Sequence, residues 1–320
     1  MPGKIEHNPD AAGVLTICNA CRYCEGYCAV FPAMERRTVF ERDDLAYLAN
    51  LCHNCGECYY ACPYTPPHEF AVNVPKLLAE LRAQSYRDQA WPHWYGGRIG
   101  LALAVCLLTF LLGLRGAPSH GEMVAIFGAA AVFVAAMLGY GLARSSKGLS
   151  FEPQAIRDAM TLKYLSGGRA VFHHFTFYGF LLCFASTTSA AIDYYFLKLN
   201  PPYPLLSAPV ILGTLGGIGL LIGPAGLYLL KRPRDPNIVD EQQNSADESF
   251  LALLFLTSAT GLLLLALRGT ASMSILLRLH LGIVLALFLT MPYGKFVHGF
   301  YRFAALMRYA SENKSRRQAH

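Results

Sequence analysis

Residues 18–28 read CNACRYCEGYC and residues 52–63 read CHNCGECYYACP. Cys18, Cys21, Cys24 and Cys28 carry the spacing C-x2-C-x2-C-x3-C, and Cys52, Cys55, Cys58 and Cys62 repeat it before Pro63. Three cysteines on a tight loop can wrap three corners of an iron–sulfur cubane. The fourth begins a segment that leads away, so in a paired arrangement it ligates the neighbouring cluster. The spacing therefore assigns Cys18, Cys21, Cys24 and Cys62 to one [4Fe–4S] cluster, and Cys52, Cys55, Cys58 and Cys28 to a second. Zinc is the competing ligand, but zinc sites present two pairs of ligands across a spacer, not four cysteines in eleven residues. Ala29 stands where the pattern has proline, which removes no ligand. With the ligand count complete, His53 and His68 read as residues around the clusters and not as ligands.

Outward from these runs the composition divides. The chain has 320 residues, 54% hydrophobic and only 15% charged, against roughly 25% charged in soluble domains. The deficit begins at Arg98. Six apolar runs follow, near 98–114, 122–142, 169–192, 205–230, 250–267 and 275–303, and about 20 apolar residues suffice to cross a bilayer. The expected fold is thus an α-helical membrane protein: a two-cluster ferredoxin-like helical module at 1–75, a connector and interfacial aromatic belt at 76–97, a six-helix transmembrane bundle at 98–310, and a basic tail at 311–320. The connector carries a short helix after Pro75, from Lys76 to Leu81, and the belt is Trp91, Trp94 and Tyr95. Pro292 and Gly294 predict a kink in the sixth run.

A net charge of +6 would suit nucleic acid, but beside apolar spans it reads as topology. Arg98; Arg144, Lys147, Arg157, Lys163 and Arg169; Lys231, Arg232 and Arg234; and Lys295, Arg302, Arg308, Lys314, Arg316 and Arg317 flank one side, fifteen in all. Arg115, Lys198, Arg268 and Arg278 make four on the other. That bias puts both termini and the cysteine module in the cytoplasm. Cys18 arrives before any apolar leader core, so no secretory signal is expected, and a reducing compartment argues against disulfides. Cys106 and Cys183, within apolar runs, read as packing residues. The stretch around Lys163, Tyr164 and Ser166–Gly168 reads as a helix on the membrane surface.

Ionisable side chains inside a span tend to face the bundle interior and to do something there. His173 and His174 lie near the cytoplasmic end of the third run, and His298 near that end of the sixth. Imidazoles from two helices at one depth can ligate both faces of a haem iron. One haem b is expected, held by His298 with His173 or His174. His280 lies eighteen residues before His298, about 27 Å away along one continuous helix. A second haem would need a partner about ten residues after His174, where Phe184 stands, so His280 reads as structural or as part of a quinone pocket.

The paired cysteine runs, Pro63-Tyr64 and the stretch His173-His174-Phe175-Thr176-Phe177-Tyr178-Gly179-Phe180 resemble the tricarballylate (citrate) utilisation protein B family across nearly the whole chain. The membrane region is similar to the haem b subunit of respiratory nitrate reductase. There the last helix carries two histidines eighteen apart, and an earlier helix has a histidine five residues before a glycine. His174 and Gly179 keep that interval, which favours His174 as ligand. The resemblance implies a bacterial inner-membrane protein that reoxidises the FADH2 of a separate tricarballylate-type dehydrogenase and delivers electrons to membrane quinone. Flavin and organic acid belong to that partner; no Gly-rich nucleotide loop occurs here. Two rival readings accompany this one: a quinol-oxidising subunit feeding a cytoplasmic reductase, and a non-catalytic iron–sulfur redox sensor. Spacing fixes neither the direction of flow nor the quinone site.

Overall fold

The computed structural model describes residues 9–91, 98–113, 119–145, 150–165 and 167–319, and among these there is no strand. Trp94 and Tyr95 of the expected belt lie outside the described residues. Five helices build the N-terminal module: α1 (Pro9–Cys21), α2 (Val30–Met34), α3 (Arg42–Leu51), α4 (Glu57–Tyr60) and α5 (Val74–Gln89). Their apolar faces meet in one core around Leu15, Phe31, Met34, Leu48, Leu51 and Leu78, each such side chain worth about 1.5–3 kcal/mol of burial. The connector helix is longer than the sequence suggested. Asn73 caps it by accepting a hydrogen bond from the Lys76 backbone N–H at 3.1 Å, Pro75 sits in its first turn where no N–H is needed, and it runs on to Gln89.

The remaining helices are α6 (Arg98–Gly113), α7 (His120–Ser145), the short α8 (Pro153–Met160), α9 (Gly167–Tyr195), α10 (Ala208–Lys231), α11 (Glu241–Ala266), α12 (Met273–Thr290) and α13 (Val297–Ala319). Among the described residues five stretches are long and apolar enough to cross a membrane: α7, α9, α10, α11, and α12 with its continuation into α13. Their outward faces carry Val132, Phe184, Leu215 and Leu229, as a lipid-facing surface requires. The first apolar run forms α6, whose 16 residues rise only about 24 Å. It lies along α12, where Arg278 donates to the Gly113 carbonyl at 2.5 Å.

Helices α9 and α10 pack most closely. A Cβ on Gly216 would stand 2.7 Å from the Cys183 backbone nitrogen and 2.8 Å from the Gly179 carbonyl oxygen. Small residues permit this approach between helices that gain nothing from hydrophobic contrast with lipid.

The sixth run breaks instead of kinking. Pro292 has no N–H to continue the ladder, Met291–Tyr293 tighten into a 3-10 turn, and Gly294 is extended (φ −102°, ψ −165°). His280 and His298 therefore lie on separate helices, and the single-helix spacing argument does not hold. Beyond the break α13 leaves the bundle and packs on α3 and α8. The stretch read as a basic tail is the last part of this helix. Arg37, itself buried, pairs with Glu312 at 2.6 Å and Asp44 at 2.7 Å, and Arg308 reaches Asp44 at 2.6 Å. The segment read as a surface helix also docks on the chain itself: Ala155 and Asp158 are buried, Tyr164 meets Tyr309 edge-on, and Lys314 pairs with Glu152 at 3.1 Å.

Candidate metal centre

The two cysteine loops repeat in backbone as well as in sequence. The residue after the second cysteine is left-handed in both, Arg22 at φ 56° and Gly56 at φ 89°. A backbone N–H donates to sulfur in each quartet, Asn54 to Cys52 Sγ at 3.3 Å and Tyr64 to Cys62 Sγ at 3.4 Å. Chain reversal then exchanges the fourth cysteines. Cys18, Cys21, Cys24 and Cys62 line one apolar cavity with Ile17, Phe31 and Val72. Cys28, Cys52, Cys55 and Cys58 line a second of about 170 Å³. Burial, and then Cys62, Cys24 and Cys21 beside it, push the Cys18 thiol up to about 12. Burial, and then Cys52, do the same to Cys28, also to about 12. Thiols so placed ionise only against a compensating cation.

Among the described residues no three His, Cys, Asp or Glu side chains are gathered closely enough for a single metal ion. Four thiolates at about 2.3 Å from one zinc would converge on a point; these line cavities instead. Soft thiolate donors, apolar walls and N–H donors aimed at sulfur fit an iron–sulfur cluster in each.

The second loop rests on cations from α5 of its own module and from α9, α13 and the segment after α10. Arg82 of α5 donates to the Cys52 carbonyl at 2.6 Å and to Gln243 of α11 at 3.1 Å. Arg302 of α13 donates to the Leu51 carbonyl at 2.7 Å and to Nε2 of His53. Arg169 of α9 donates to the Asn54 carbonyl at 3.1 Å, as does Arg234 beyond α10. A guanidinium can only donate, so His53 accepts at Nε2 and keeps its proton on Nδ1. Burial, then Arg302 and Arg169, hold its pKa well below the ordinary value. Beneath, Asp247 of α11 pairs with Lys231 at 3.3 Å and Lys295 at 3.0 Å. In the sequence Arg169, Lys231, Arg234, Lys295 and Arg302 read only as flanking charge and Arg82 carried no signal; that they point inward was missed. His68, by contrast, is half-buried between Tyr64 and Phe70, away from these cations' bonds.

The structure separates the two histidines of α9. His173 lies close enough to His298 and His53 for their charges to interact, and its Nδ1 is buried without a hydrogen-bond partner. His174, about 100° round the helix, stacks on Tyr178 at 5.8 Å, and that tyrosine bonds the Met160 carbonyl. His298 is oriented by a relay. Asn50 Nδ2 donates to the Ala46 carbonyl at 2.9 Å, leaving Oδ1 to accept from the Tyr86 hydroxyl at 3.1 Å. The Tyr86 oxygen, 3.3 Å from His298 Nδ1, then receives that nitrogen's proton, and Nε2 keeps a free lone pair. An orphaned imidazole nitrogen on one helix, near an imidazole on another held in the ligating tautomer, fits a haem iron. His280 is engaged elsewhere, 2.9 Å from the Thr260 hydroxyl.

The family model described as Citrate utilization protein B Fer4-like domain matches residues 11–88, and the model described as Citrate utilization protein B matches residues 109–319. Citrate utilization protein B of Escherichia coli is 46% identical over 366 aligned positions, covering 100% of this chain and 97% of that protein. No solved structure matches. With both family models and a full-length relative in agreement, the chain belongs to the citrate utilization protein B family.

Proposed function

We propose that this chain is a membrane electron-transfer protein that takes electrons from a reduced flavoprotein dehydrogenase of tricarboxylate utilisation, reoxidising its FADH2, and delivers them to membrane quinone. The observation that carries this reading is the seating of the second cysteine loop, through Arg169 and Arg302, directly on the helices that bring His173 and His298. When bound, two [4Fe–4S] clusters and one haem b supply one-electron carriers on both sides of that seam.

The residues divide the work. Cys18, Cys21, Cys24 and Cys62 hold the outer cluster, and Cys21 is exposed toward the donor. Cys28, Cys52, Cys55 and Cys58 hold the inner one. His298 and, of the two neighbours on α9, His173 hold the haem, with Tyr86 fixing the His298 ring. The apolar faces of the spans keep the protein in the bacterial inner membrane, with α6 as a sixth crossing and both termini cytoplasmic. No side chain is assigned to bind the organic acid, which belongs to the dehydrogenase.

The test adds a reduced tricarballylate-type flavin dehydrogenase to the purified, anaerobic protein and follows the haem spectrum. Reduction of the haem that Cys21→Ala slows or abolishes supports the reading. A haem that stays oxidised, or is reduced equally fast without the outer cluster, overturns it.

A further inference from the structure

Charge is distributed unequally between the two cysteine quartets. Among the described residues, the cavity of Cys18, Cys21, Cys24 and Cys62 has no charged side chain in its lining. Around the loop of Cys52, Cys55 and Cys58 gather six cations: Arg82, Arg169, Arg234, Arg302, Lys231 and Lys295. The carboxylates facing them are Asp247, Glu248 and Glu57. Asp247 bonds the two lysines and also lies in the field of Arg169 and Arg234, while the four arginines donate to neutral oxygens and to His53; six cations against these three carboxylates leave the surroundings of this loop net positive. Burial shields this charge from salt.

We infer that Arg82, Arg169, Arg234 and Arg302 form a cationic bed that makes the Cys28–Cys52–Cys55–Cys58 centre the stronger electron acceptor of the two. The inference rests on the cluster assignment proposed above. Four thiolates make a cluster anionic, reduction adds one further negative charge, and net charge is among the determinants of cluster potential. The step is a one-electron transfer: the outer centre is oxidised by one electron as the inner is reduced by one, with a reduced flavin as donor and haem as acceptor, and no bond is made or broken. The bed thereby sets a direction, from the exposed side toward the bundle.

The experiment is an EPR-monitored redox titration of the full chain in detergent. Arg169→Gln is the informative variant, because Arg234 still holds the Asn54 carbonyl. The wild type should titrate in two steps, with Cys21→Ala removing the lower-potential one. Arg169→Gln should lower the other centre by at least a tenfold fall in its reduced-to-oxidised ratio at fixed ambient potential, ~59 mV for one electron. Arg169→Lys should restore it, and Asp247→Asn should move it the opposite way. Arg169→Gln titrating as wild type, both centres moving together, or Cys21→Ala removing the higher step would overturn the inference. A wild type with no iron–sulfur signal would overturn the cluster assignment itself, a separate failure.

Discussion

Tyr86 of α5 and His298 of α13, 212 positions apart, meet with the tyrosine oxygen 3.3 Å from Nδ1. Because Asn50 takes the hydroxyl proton, this one contact ties the cysteine module to the bundle and fixes which imidazole nitrogen faces the interior. Tyr86→Phe should leave Asn50 Oδ1 and His298 Nδ1 without a partner and cost about 1–3 kcal/mol, read from a denaturant midpoint. Haem should be retained with its potential raised, since the ring loses the acceptor that increased its basicity. An unchanged potential would detach Tyr86 from the site.

Alanine at His298 or His173 should abolish the haem absorbance and leave the iron–sulfur signal intact, whereas His174→Ala should keep both. The reason is angular: neighbours on a helix point about 100° apart, and it is His173 that shares a charge field with His298. Loss of haem from His174→Ala, with His173→Ala unaffected, would reverse the assignment.

The contact between α13 and the module should weaken in acid. Burial alone would raise the Asp44 carboxyl, but hydrogen bonds and charge from Arg37, then Arg308, hold it below the ordinary value. Its contribution is complete above the unfolded carboxylate pKa and disappears as pH falls through the lower folded value. Limited proteolysis at the end of α13 should therefore be flat from neutral pH to about pH 4 and rise below it. Asp44→Asn should show the increased cleavage already at neutral pH.

Gly216→Ala should destabilise the bundle by about 1–3 kcal/mol, the range for overpacking, because its new Cβ meets the backbone of α9 at the Cys183 nitrogen and the Gly179 oxygen as well as the Cys183 Sγ, and the backbone atoms cannot move aside as a side chain can. The comparison is Gly139→Ala on α7, where nothing stands within 4 Å; it should be near neutral in the same unfolding assay.

How much was legible depended on whether the signal was local. Cysteine spacing is a property of short loops, and the apolar runs report their helices one by one, so both could be read along the chain. The break at Pro292–Gly294 was visible as a weak point, but whether a helix bends or stops there is settled by where α13 can pack, on α3 some 250 residues earlier. The same holds for His173 against His174: sequence puts them at one depth, and only the rotation of α9 against α10, set by Gly216 and Gly219, selects one. Arg169, Arg234 and Arg302 looked like ordinary flanking charge because sequence says which end of a helix a residue occupies, not whether that end meets water or a cysteine loop.

Two quartets of cysteines, each drawn from both runs, are proposed to hold iron–sulfur clusters at the end of a haem-binding bundle. Metal analysis with EPR and optical spectra on anaerobically purified full-length protein tests this most directly. Two four-iron clusters and one low-spin haem per chain are expected, with Cys62→Ala removing the cluster that Cys21→Ala also removes. Zinc in place of iron, a colourless preparation, or Cys62→Ala instead removing the cluster that depends on Cys55 would contradict this proposal.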